Sequence, residues 1–474
     1  MIRQILHKEL LMNLLSLRFI LSLLLAISLF AASGFVFVNR YEKNTQDYWK
    51  KTNENLTSLK EQSKQLYQLA FYKQEIYKRP KTLTCFVEGF EKSLPNCIQC
   101  DAFTVDLPEI RGQSNFILPS FSDIDWVFIV SLILSFVALV FTYDSVSGEK
   151  EDGTLRQMLA NTIPRYEVLL GKYLGVMLTI GIPLFIGLLV SLIIVVASNV
   201  AVISGLDWLK ILSIVLLSFL CLSVFVLLGI FISIRTTHSS NSMVILLLVW
   251  VGLVILIPSF GRIVSDLSSR STTQVELRRR LDEASKKVDD EANAGAFGEN
   301  AGYMSTDRGD PMNNPQAGAR YRTAGVNARN RVIEEHHRKM LAQVFKGRNL
   351  ICLSPVAIYQ RASEAIAGTG ISHCVNLHRQ IMQYKDNLRQ YIRDEDSKDP
   401  GSLHLICPDR AAAINWKSIS HNPVDFATVP KFQERDLGLG ESLRLAVWDI
   451  GVLALFNLVF FVASFVSFLR YDVR

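Results

Sequence analysis

The stretch ILSIVLLSFLCLSVFVLLGIFISI, from Ile211 to Ile234, contains no charged residue and decides the fold class. A helix needs about 20 apolar residues to cross a hydrocarbon core of about 30 Å, and this stretch is long enough. Five other stretches are similarly apolar: residues 19–38, 126–143, 173–198, 242–260 and 446–469. The sequence therefore predicts an all-α integral membrane protein with six transmembrane helices.

Composition agrees with this interpretation. Of the 474 residues, 49% are apolar, and the mean hydropathy is positive. A soluble chain with ordinary charge content usually has a mean hydropathy below zero. Buried core helices of a soluble protein are therefore a poor alternative explanation of the six stretches.

Lysine and arginine in the short loops predict the orientation, because they are retained on the cytoplasmic side. With the N-terminus inside, the inner segments carry Arg3, Lys8, Arg18, Lys150, Arg156, Arg165, Lys172, Arg235, Arg470 and Arg474. The short outer loop 199–210 carries Lys210 alone. We expect a multi-pass protein of the cytoplasmic (inner) membrane with both termini inside. The net charge of +6 is mostly this bias, so no nucleic-acid partner is expected.

The N-terminus predicts an uncleaved first span preceded by a surface helix. An apolar region of about 20 residues is longer than the 7 to 15 of a signal peptide, and no small-residue cleavage site follows it. Residues 1–18 form the amphipathic segment before the span. Its apolar face comprises Ile2, Ile5, Leu6, Leu10 and Leu14, so we expect it to lie along the membrane surface with its apolar face on the lipid.

Two long polar segments then fall outside the membrane, at 39–125 and 261–445, and the tail 470–474 falls inside. They are large enough to form an extracytoplasmic domain, which the sequence predicts to be mainly helical. Helical periodicity or composition predicts helices at 44–77, 275–292, 326–345, 355–367 and 375–393. The Gly, Asn and Pro-rich stretch 293–318 separates the second from the third. We expect their apolar faces to pack on each other or on an extracytoplasmic partner.

Six cysteines fall in these outer segments and predict disulfides, because the compartment is oxidising. They are Cys85, Cys97 and Cys100 in the first segment and Cys352, Cys374 and Cys407 in the second. Each segment holds an odd number, so complete pairing within the chain requires at least one bridge between them. Such a bridge would make the two segments one domain.

Two other roles for these cysteines were weighed. Cys97 and Cys100 have the spacing of a redox or zinc pair, but no βαβ pattern surrounds them. A metal site could combine His373, Cys374 and His378 with His404 and Cys407, yet the spacing matches no standard site. Structural disulfides are favoured, and no metal is expected.

The inner loop between spans two and three, residues 144–172, reads DSVSGEKEDGTLRQMLANTIPRYEVLLGK. Glu149 to Asp152 place acids at a helix start, and Pro164 ends the helix. Leu155, Met158 and Leu159 form an apolar stripe. Such a helix suits docking into the groove of a partner, although a helix lying on the membrane surface fits the pattern equally well.

This loop resembles the signature of ABC-2 type ABC transporter permeases. The matching residues are Gly148, Glu149, Glu151, Gly153, Thr154, Leu155, Leu170, Gly171 and Lys172. In that family the loop forms the coupling helix that contacts the ATPase subunit. The resemblance implies that the ATPase-coupling residues are Gly148, Glu149, Glu151, Asp152, Gly153, Thr154, Leu155, Met158 and Leu159.

The resemblance extends to a branch of this family with an enlarged extracytoplasmic loop between spans five and six. That branch carries Leu-Ser-Pro followed by Gly-Thr-Gly, here residues 353–355 and 368–370, and ends in Arg-Tyr-Asp, here residues 470–472. Pro258 near the outer end of span five also fits the family.

ATP must be handled by another chain, because no Gly-x-x-x-x-Gly-Lys-[Ser/Thr] phosphate loop occurs in the sequence. The resemblance implies a cytoplasmic ABC ATPase that binds ATP and Mg, and a second permease subunit, identical or related. This chain itself is expected to hold no cofactor. Its other expected contact is membrane lipid.

Two polar residues within span six are candidates for a transport pathway or for helix packing. Asp449 lies about one turn inside the span, and we expect it to reach the outer interface. Asn457 lies deeper, and we expect it to hydrogen-bond a neighbouring helix.

Three function classes follow. The leading one is ATP-driven export with this chain as permease. The alternative is mechanotransmission, in which cytoplasmic ATP hydrolysis moves the extracytoplasmic domain without passing cargo between the spans. A membrane-embedded enzyme is the weakest, since no span carries a His and acid cluster or a nucleophile and base.

Overall fold

The computed structural model describes residues 2–89, 97–106, 124–160, 164–259, 274–298 and 315–470. Its helices, in chain order, are α1 (Ile2–Leu14), α2 (Leu17–Gln62), α3 (Leu66–Phe71), α4 (Trp126–Phe128), α5 (Ser135–Thr142), α6 (Ser147–Glu151), α7 (Thr154–Ala160), α8 (Arg165–Ala197), α9 (Gly205–Arg235), α10 (Ser239–Val251), α11 (Gln274–Asn293), α12 (Pro315–Leu350), α13 (Pro355–Ala367), α14 (Ile371–Asp396), α15 (Arg410–Trp416) and α16 (Leu439–Leu469). The strands are β1 (Gln74–Tyr77), β2 (Cys97–Cys100) and β3 (Val105–Asp106).

Six of the described helices are long and apolar enough to cross a membrane, which confirms the predicted class. Span one is the first part of α2, and spans three, four and six are α8, α9 and α16. Span two runs through α4 and α5 with a π-helical turn, Ile129–Leu134, between them. Span five is α10, which continues into a second π-helical turn, Gly252–Leu256.

Helix α2 does not end at the predicted limit of span one. The helix is unbroken over its 46 residues, from Leu17 to Gln62, so that it is about 69 Å long at 1.5 Å per residue. Residues 39–62 contain neither Gly nor Pro, and nothing in the sequence stops the helix there. The separate helix predicted at 44–77 is therefore wrong: its first part belongs to α2, and Tyr77 lies in strand β1.

The polar segments fold together at the end of the bundle to which α2 extends. We call this region the head: the described residues from 40 to 106 and from 274 to 436, apart from α13. Strands β1, β2 and β3 form a small antiparallel sheet, with Gln74 opposite Cys100. One buried cluster combines Leu59 and Leu69 of the first segment with Leu388 and Ile392 of the second. The two segments are thus joined in one domain by side-chain packing.

The helices predicted at 275–292, 326–345 and 375–393 are present in the head, with different limits. Helix α11 matches the prediction at 275–292, and α14 extends the one at 375–393 at both ends. Helix α12 begins at Pro315 instead of 326, so that Gly318 of the predicted break lies inside a helix. The rest of that break, residues 299–314, lies outside the described residues, as do residues 471 and 472 of the Arg-Tyr-Asp motif.

Helix α13 is not part of the head, although the sequence placed it in the outer helical region. It packs among spans four, five and six. Tyr359 is fully buried, and its hydroxyl lies 2.7 Å from Ser218 Oγ of span four. Ser354 Oγ donates a hydrogen bond to the Leu253 carbonyl of span five, at 2.6 Å. The Leu-Ser-Pro motif is the start of this inserted helix, with Ser354 as its N-cap.

In this structure, whose described residues include all seven cysteines, the predicted disulfides are not formed. Cys97 and Cys100 lie at opposite ends of β2, about 10 Å apart at 3.3 Å per residue, and project to opposite faces. Cys85 lies beside span three, with its Sγ 4.0 Å from Ser191 Oγ. Packing, hydrogen bonds and ion pairs join the segments that a bridge was expected to join.

Candidate functional site: the coupling loop

The loop of residues 144–172, which we call the coupling loop after its family resemblance, has two short helices in its described residues before α8 begins, instead of the single one predicted. Helix α6 continues from span two and ends where the Gly153 amide donates to the Lys150 carbonyl at 3.2 Å. Gly153 has a φ of +69°, a left-handed conformation that glycine adopts without steric cost. The chain then turns into α7 at Thr154. Glu149 and Glu151 therefore lie in α6, and Asp152 is the only one of these three acids close to the start of α7.

Glu149 points into the protein, and it pairs with the last residue of the signature. Its Oε1 lies 3.0 Å from Lys172 Nζ, at the start of span three, and 3.7 Å from Lys8 Nζ of α1. Lys172 has a side chain only 2% exposed, and it also donates to Glu9 Oε1 at 2.8 Å and to the Ser145 carbonyl at 2.7 Å. This cluster joins α1, α6 and α8.

Lys150 and Glu151 hold the two helix ends at the break between spans four and five. Lys150 Nζ donates to the carbonyls of Ile234 and Thr236, at the C-terminal end of α9. Glu151 accepts hydrogen bonds from the Ser239 amide at 3.0 Å and from Ser239 Oγ at 2.6 Å, at the start of α10. Both charges interact favourably with the helix dipoles, because the Lys150 cation lies at the C-terminus of α9 and the Glu151 anion lies at the N-terminus of α10.

Ser233 of span four forms a further anchor for α6. Its Oγ accepts hydrogen bonds from the amides of Val146 and Ser147, both at 3.0 Å, and donates to the Tyr143 carbonyl at 3.0 Å. Sequence reasoning missed Ser233 and Ser239 as partners of this loop. A serine in an otherwise apolar span, just before a helix break, was the available signal.

The two faces of α7 differ in exposure. Leu155 is fully buried, and Met158 packs against the spans. Their apolar stripe therefore faces the protein itself, and not the partner groove or the membrane surface for which the sequence suited it. The side chain of Leu159 lies outside the described residues. Asp152, Thr154, Arg156 and Gln157 are exposed on the outer face of the loop. These four residues belong to the exposed surface of the coupling loop, and we call them the α7 surface.

Helix α1 packs on span three through two glycines instead of resting its apolar face on lipid alone. A Cβ added to Gly171 would lie 2.7 Å from Ile5 Cγ2, and one added to Gly175 would lie 2.8 Å from Glu9 Cβ. The family-motif glycine at 171 therefore permits close approach of α1. This contact places Glu9 next to Lys172.

The polar residues of span six both make contacts inside the protein. Asp449, which was expected to reach the outer interface, is 3% exposed within the chain, and Arg361 of α13 donates to its Oδ1 through Nε at 2.8 Å and through Nη2. Asn457 Nδ2 donates to the Leu220 carbonyl of span four at 3.0 Å, a hydrogen bond between helices. Both residues hold span six to its neighbours.

Among the described residues of the head, one group could offer metal ligands; it shares His373 with the set weighed from the sequence, but its other members are different. Ligand atoms of His373, Glu434 and Asp436 lie within 4.8 Å of one another. Lys81 already occupies the middle, with its Nζ 2.6 Å from Glu434 Oε1 and in contact with Asp436. Burial raises the pKa of Glu434, but His373 and Lys81 outweigh it and hold that pKa at about 2. An ammonium group thus balances these acids.

The comparison with known protein families gives a match over nearly the whole chain. The chain matches the family described as "ABC-2 family transporter protein" over residues 3–473. A comparison with curated proteins gives no match. The family match covers both the spans and the large head, so it applies to the whole architecture. This chain therefore belongs to the ABC-2 family of transporter membrane proteins.

Proposed function

We propose that this chain is the permease subunit of an ATP-driven exporter of the cytoplasmic membrane. Its partners are a separate cytoplasmic ABC ATPase, which binds ATP and Mg, and a second permease subunit. The family match and the missing phosphate-binding loop support a permease without an ATP site of its own. The ATPase docks on the α7 surface.

The observation that carries this proposal is the set of bonds between the coupling loop and four spans. The loop continues from span two through α6. Glu149 connects it to span three, Lys150 to the end of span four, and Glu151 to the start of span five. A displacement of α6 therefore acts on all four spans together. Alternating access needs such a joint motion of packed helices.

Span six is tied to the same end of the bundle by Arg165, at the start of α8. Arg165 Nη1 donates to the carbonyls of Phe468 at 2.9 Å and Leu469 at 2.7 Å, the last residues of α16. Arg18 connects span one to Asp144 at 2.8 Å. Every span thus has a polar contact at the end where the ATPase is proposed to bind.

The test is the ATPase rate of the assembled complex. Reversing the charge of the α7 surface with Arg156→Glu should reduce both co-purification of the ATPase and its stimulation by the permease, while the protein still inserts. The matched control is Lys43→Glu, which reverses an exposed charge on the head side of α2. Unchanged stimulation by Arg156→Glu, or an equal loss in the control, would remove the docking role of the α7 surface.

Mechanotransmission is the second candidate, and the continuous helix α2 favours it. A single rigid element runs from the end that carries the coupling loop to Gln62 in the head. Its upper part packs into the head through Leu59, which is 1% exposed. Motion at one end of α2 is therefore transmitted to the head without an intervening joint.

Fluorescence energy transfer separates the two candidates. A donor at Lys60 in the head and an acceptor at Leu206, at the head-side end of span four, would be introduced as non-natural amino acids; both positions are exposed. In mechanotransmission, ATP changes this distance, and replacement of residues 44–47 of α2 by Gly-Ser-Gly-Ser, which keeps the length of the segment, abolishes the change. An ATP cycle that leaves the distance constant favours export alone.

A further inference from the structure

A cavity of about 760 Å³ lies in the head, between α12, α14 and the segment that follows α14. It is far from the coupling loop, and neither candidate function uses it. Its polar lining residues are Gln316, Arg320, Thr323, Asn327, Arg389, Arg393, Asp396, Ser397 and His404. Its size is in the range of cavities that hold small ligands.

Three arginines line this cavity, and within the described part of the chain none of them forms an ion pair with a carboxylate. Arg389 and Arg393 are one helical turn apart on α14, so their side chains are neighbours. Arg320 faces them from α12. Like charges brought together in this way repel, unless an anion lies between them.

Arg389 carries an unused donor. Its side chain is half-buried, and its guanidinium lies over the Phe103 ring, 5.7 Å from the centroid. Its Nε is buried and has no hydrogen-bond partner. Burial, and then the charge of Arg393, lower the pKa of Arg389. A buried donor without a partner is costly, and a bound acceptor would remove that cost.

The acid in the cavity wall does not serve as the partner. Asp396 is 1% exposed, and its Oδ1 accepts from Ser402 Oγ and from the Ser420 amide, both at 2.7 Å. Its Oδ2 lies 3.1 Å from His404 Nδ1. Both carboxylate oxygens are thus used within the loop that follows α14. The arginines keep their capacity to bind an external anion.

The position of the cavity excludes a lipid headgroup. Leu388 and Ile392, which adjoin Arg389 and Arg393 on α14, pack with Leu59 of α2. Helix α2 continues unbroken from span one, and Leu59 lies about 31 Å along it beyond residue 38, at 1.5 Å per residue. The cavity therefore lies well beyond the headgroup layer, and its ligand comes from the aqueous phase.

We propose that this cavity binds a small soluble anion carrying carboxylate or phosphate oxygens. Arg389 and Arg393 present guanidinium forks, which bind such oxygens through paired, charge-assisted hydrogen bonds. Arg320, which is exposed, borders the site from α12, and Thr323 and Asn327 offer further hydrogen-bonding groups. The ligand bridges α12 and α14, so that its binding stabilises the head.

Isothermal titration calorimetry on the full chain in detergent tests this site. Citrate and inorganic phosphate are the probes at pH 7, and potassium chloride at matched ionic strength is the blank. We expect saturable heat for at least one probe, with one site per chain. Arg393→Gln should weaken binding at least about tenfold, because a charge-assisted fork is lost. Arg393→Lys should restore it only in part.

The matched control is Arg379→Gln, which removes an exposed charge from the same helix outside the cavity. It should bind the probe as the unchanged protein does. Thermal unfolding without ligand verifies that each variant is folded. Heat that does not saturate for either probe, or equal weakening by Arg379→Gln and Arg393→Gln, would overturn the proposal.

Discussion

Glu149 Oε1 lies 3.0 Å from Lys172 Nζ, so that the first acid and the last base of the family signature form one ion pair. The Lys172 side chain is almost completely buried, and Glu9 of α1 binds the same ammonium group. The pair closes the coupling loop onto the start of span three. Glu149 therefore positions the loop, and the α7 surface is left to meet a partner.

Glu149→Gln should lower the free energy of unfolding by about 1 to 3 kcal/mol, because it removes one anion from a buried ammonium group. Asp152→Asn makes the same charge change at an exposed position in the loop and should have almost no effect. Thermal unfolding of the purified protein measures both. Equal stability of the two variants would mean that the Glu149–Lys172 pair does not hold the loop.

Asp449→Asn should destabilise the contact between α13 and span six by about 3 kcal/mol, because it leaves Arg361 without its buried anion. Arg361→Met combined with Asp449→Leu should cost less than the sum of the single changes. A double-mutant cycle from denaturant unfolding gives the coupling energy. Strictly additive effects would show that the two residues do not interact in solution.

Gly171→Ala should displace α1 from span three, since the new methyl group would lie 2.7 Å from Ile5 Cγ2. We expect faster proteolysis of the N-terminal segment and a lower unfolding temperature. Gly451→Ala in span six is the control, because nothing lies within 4 Å of its added Cβ. The same proteolysis rate in both variants would contradict the close packing of α1.

Glu434→Gln should make the stability of the head less dependent on pH in the acidic range. The pKa of Glu434 is held at about 2 in the folded chain, below its ordinary value of 4.5. A depressed pKa stabilises the fold fully above the unfolded value, and this contribution is lost as the pH falls from about 5 towards 2. Unfolding temperatures measured across that range should fall less steeply for Glu434→Gln than for the unchanged protein.

All seven cysteines should react with a thiol reagent in denaturant without reductant, because no disulfide is formed among them in this structure. Mass spectrometry after alkylation counts the modified residues directly. Five or fewer modified cysteines, with the remainder joined in pairs, would restore the disulfides predicted from the oxidising compartment.

The spans could be predicted because each depends on a local property, a run of apolar residues as long as the membrane is thick. The same criterion placed the limit of span one at residue 38, where polar residues begin, and so missed that α2 continues to Gln62. Polarity ends a span, but only Gly, Pro or a capping residue ends a helix.

The sequence predicted which residues belong to the candidate site, but not which residues they contact. The signature indicated Glu149, Glu151 and Lys172, yet their partners Glu9 and Ser239 lie in other segments of the chain. Helix α13 shows the same limit. Its amphipathic pattern predicted a helix correctly, but that pattern does not state whether the apolar face packs on other head helices or between spans.

Helix α2 also constrains how its own length can vary. Adding one residue to a continuous helix rotates everything beyond it by about 100° and raises it by 1.5 Å. Leu59 and Leu69, which pack in the head, would then face a different direction relative to span one. Insertions or deletions between Asn39 and Gln62 preserve the rotational orientation of the head only when their length is close to a whole number of helical turns. Seven residues, about two turns, is the nearest short match. The length of this segment therefore determines how the head is rotated relative to the membrane-spanning bundle.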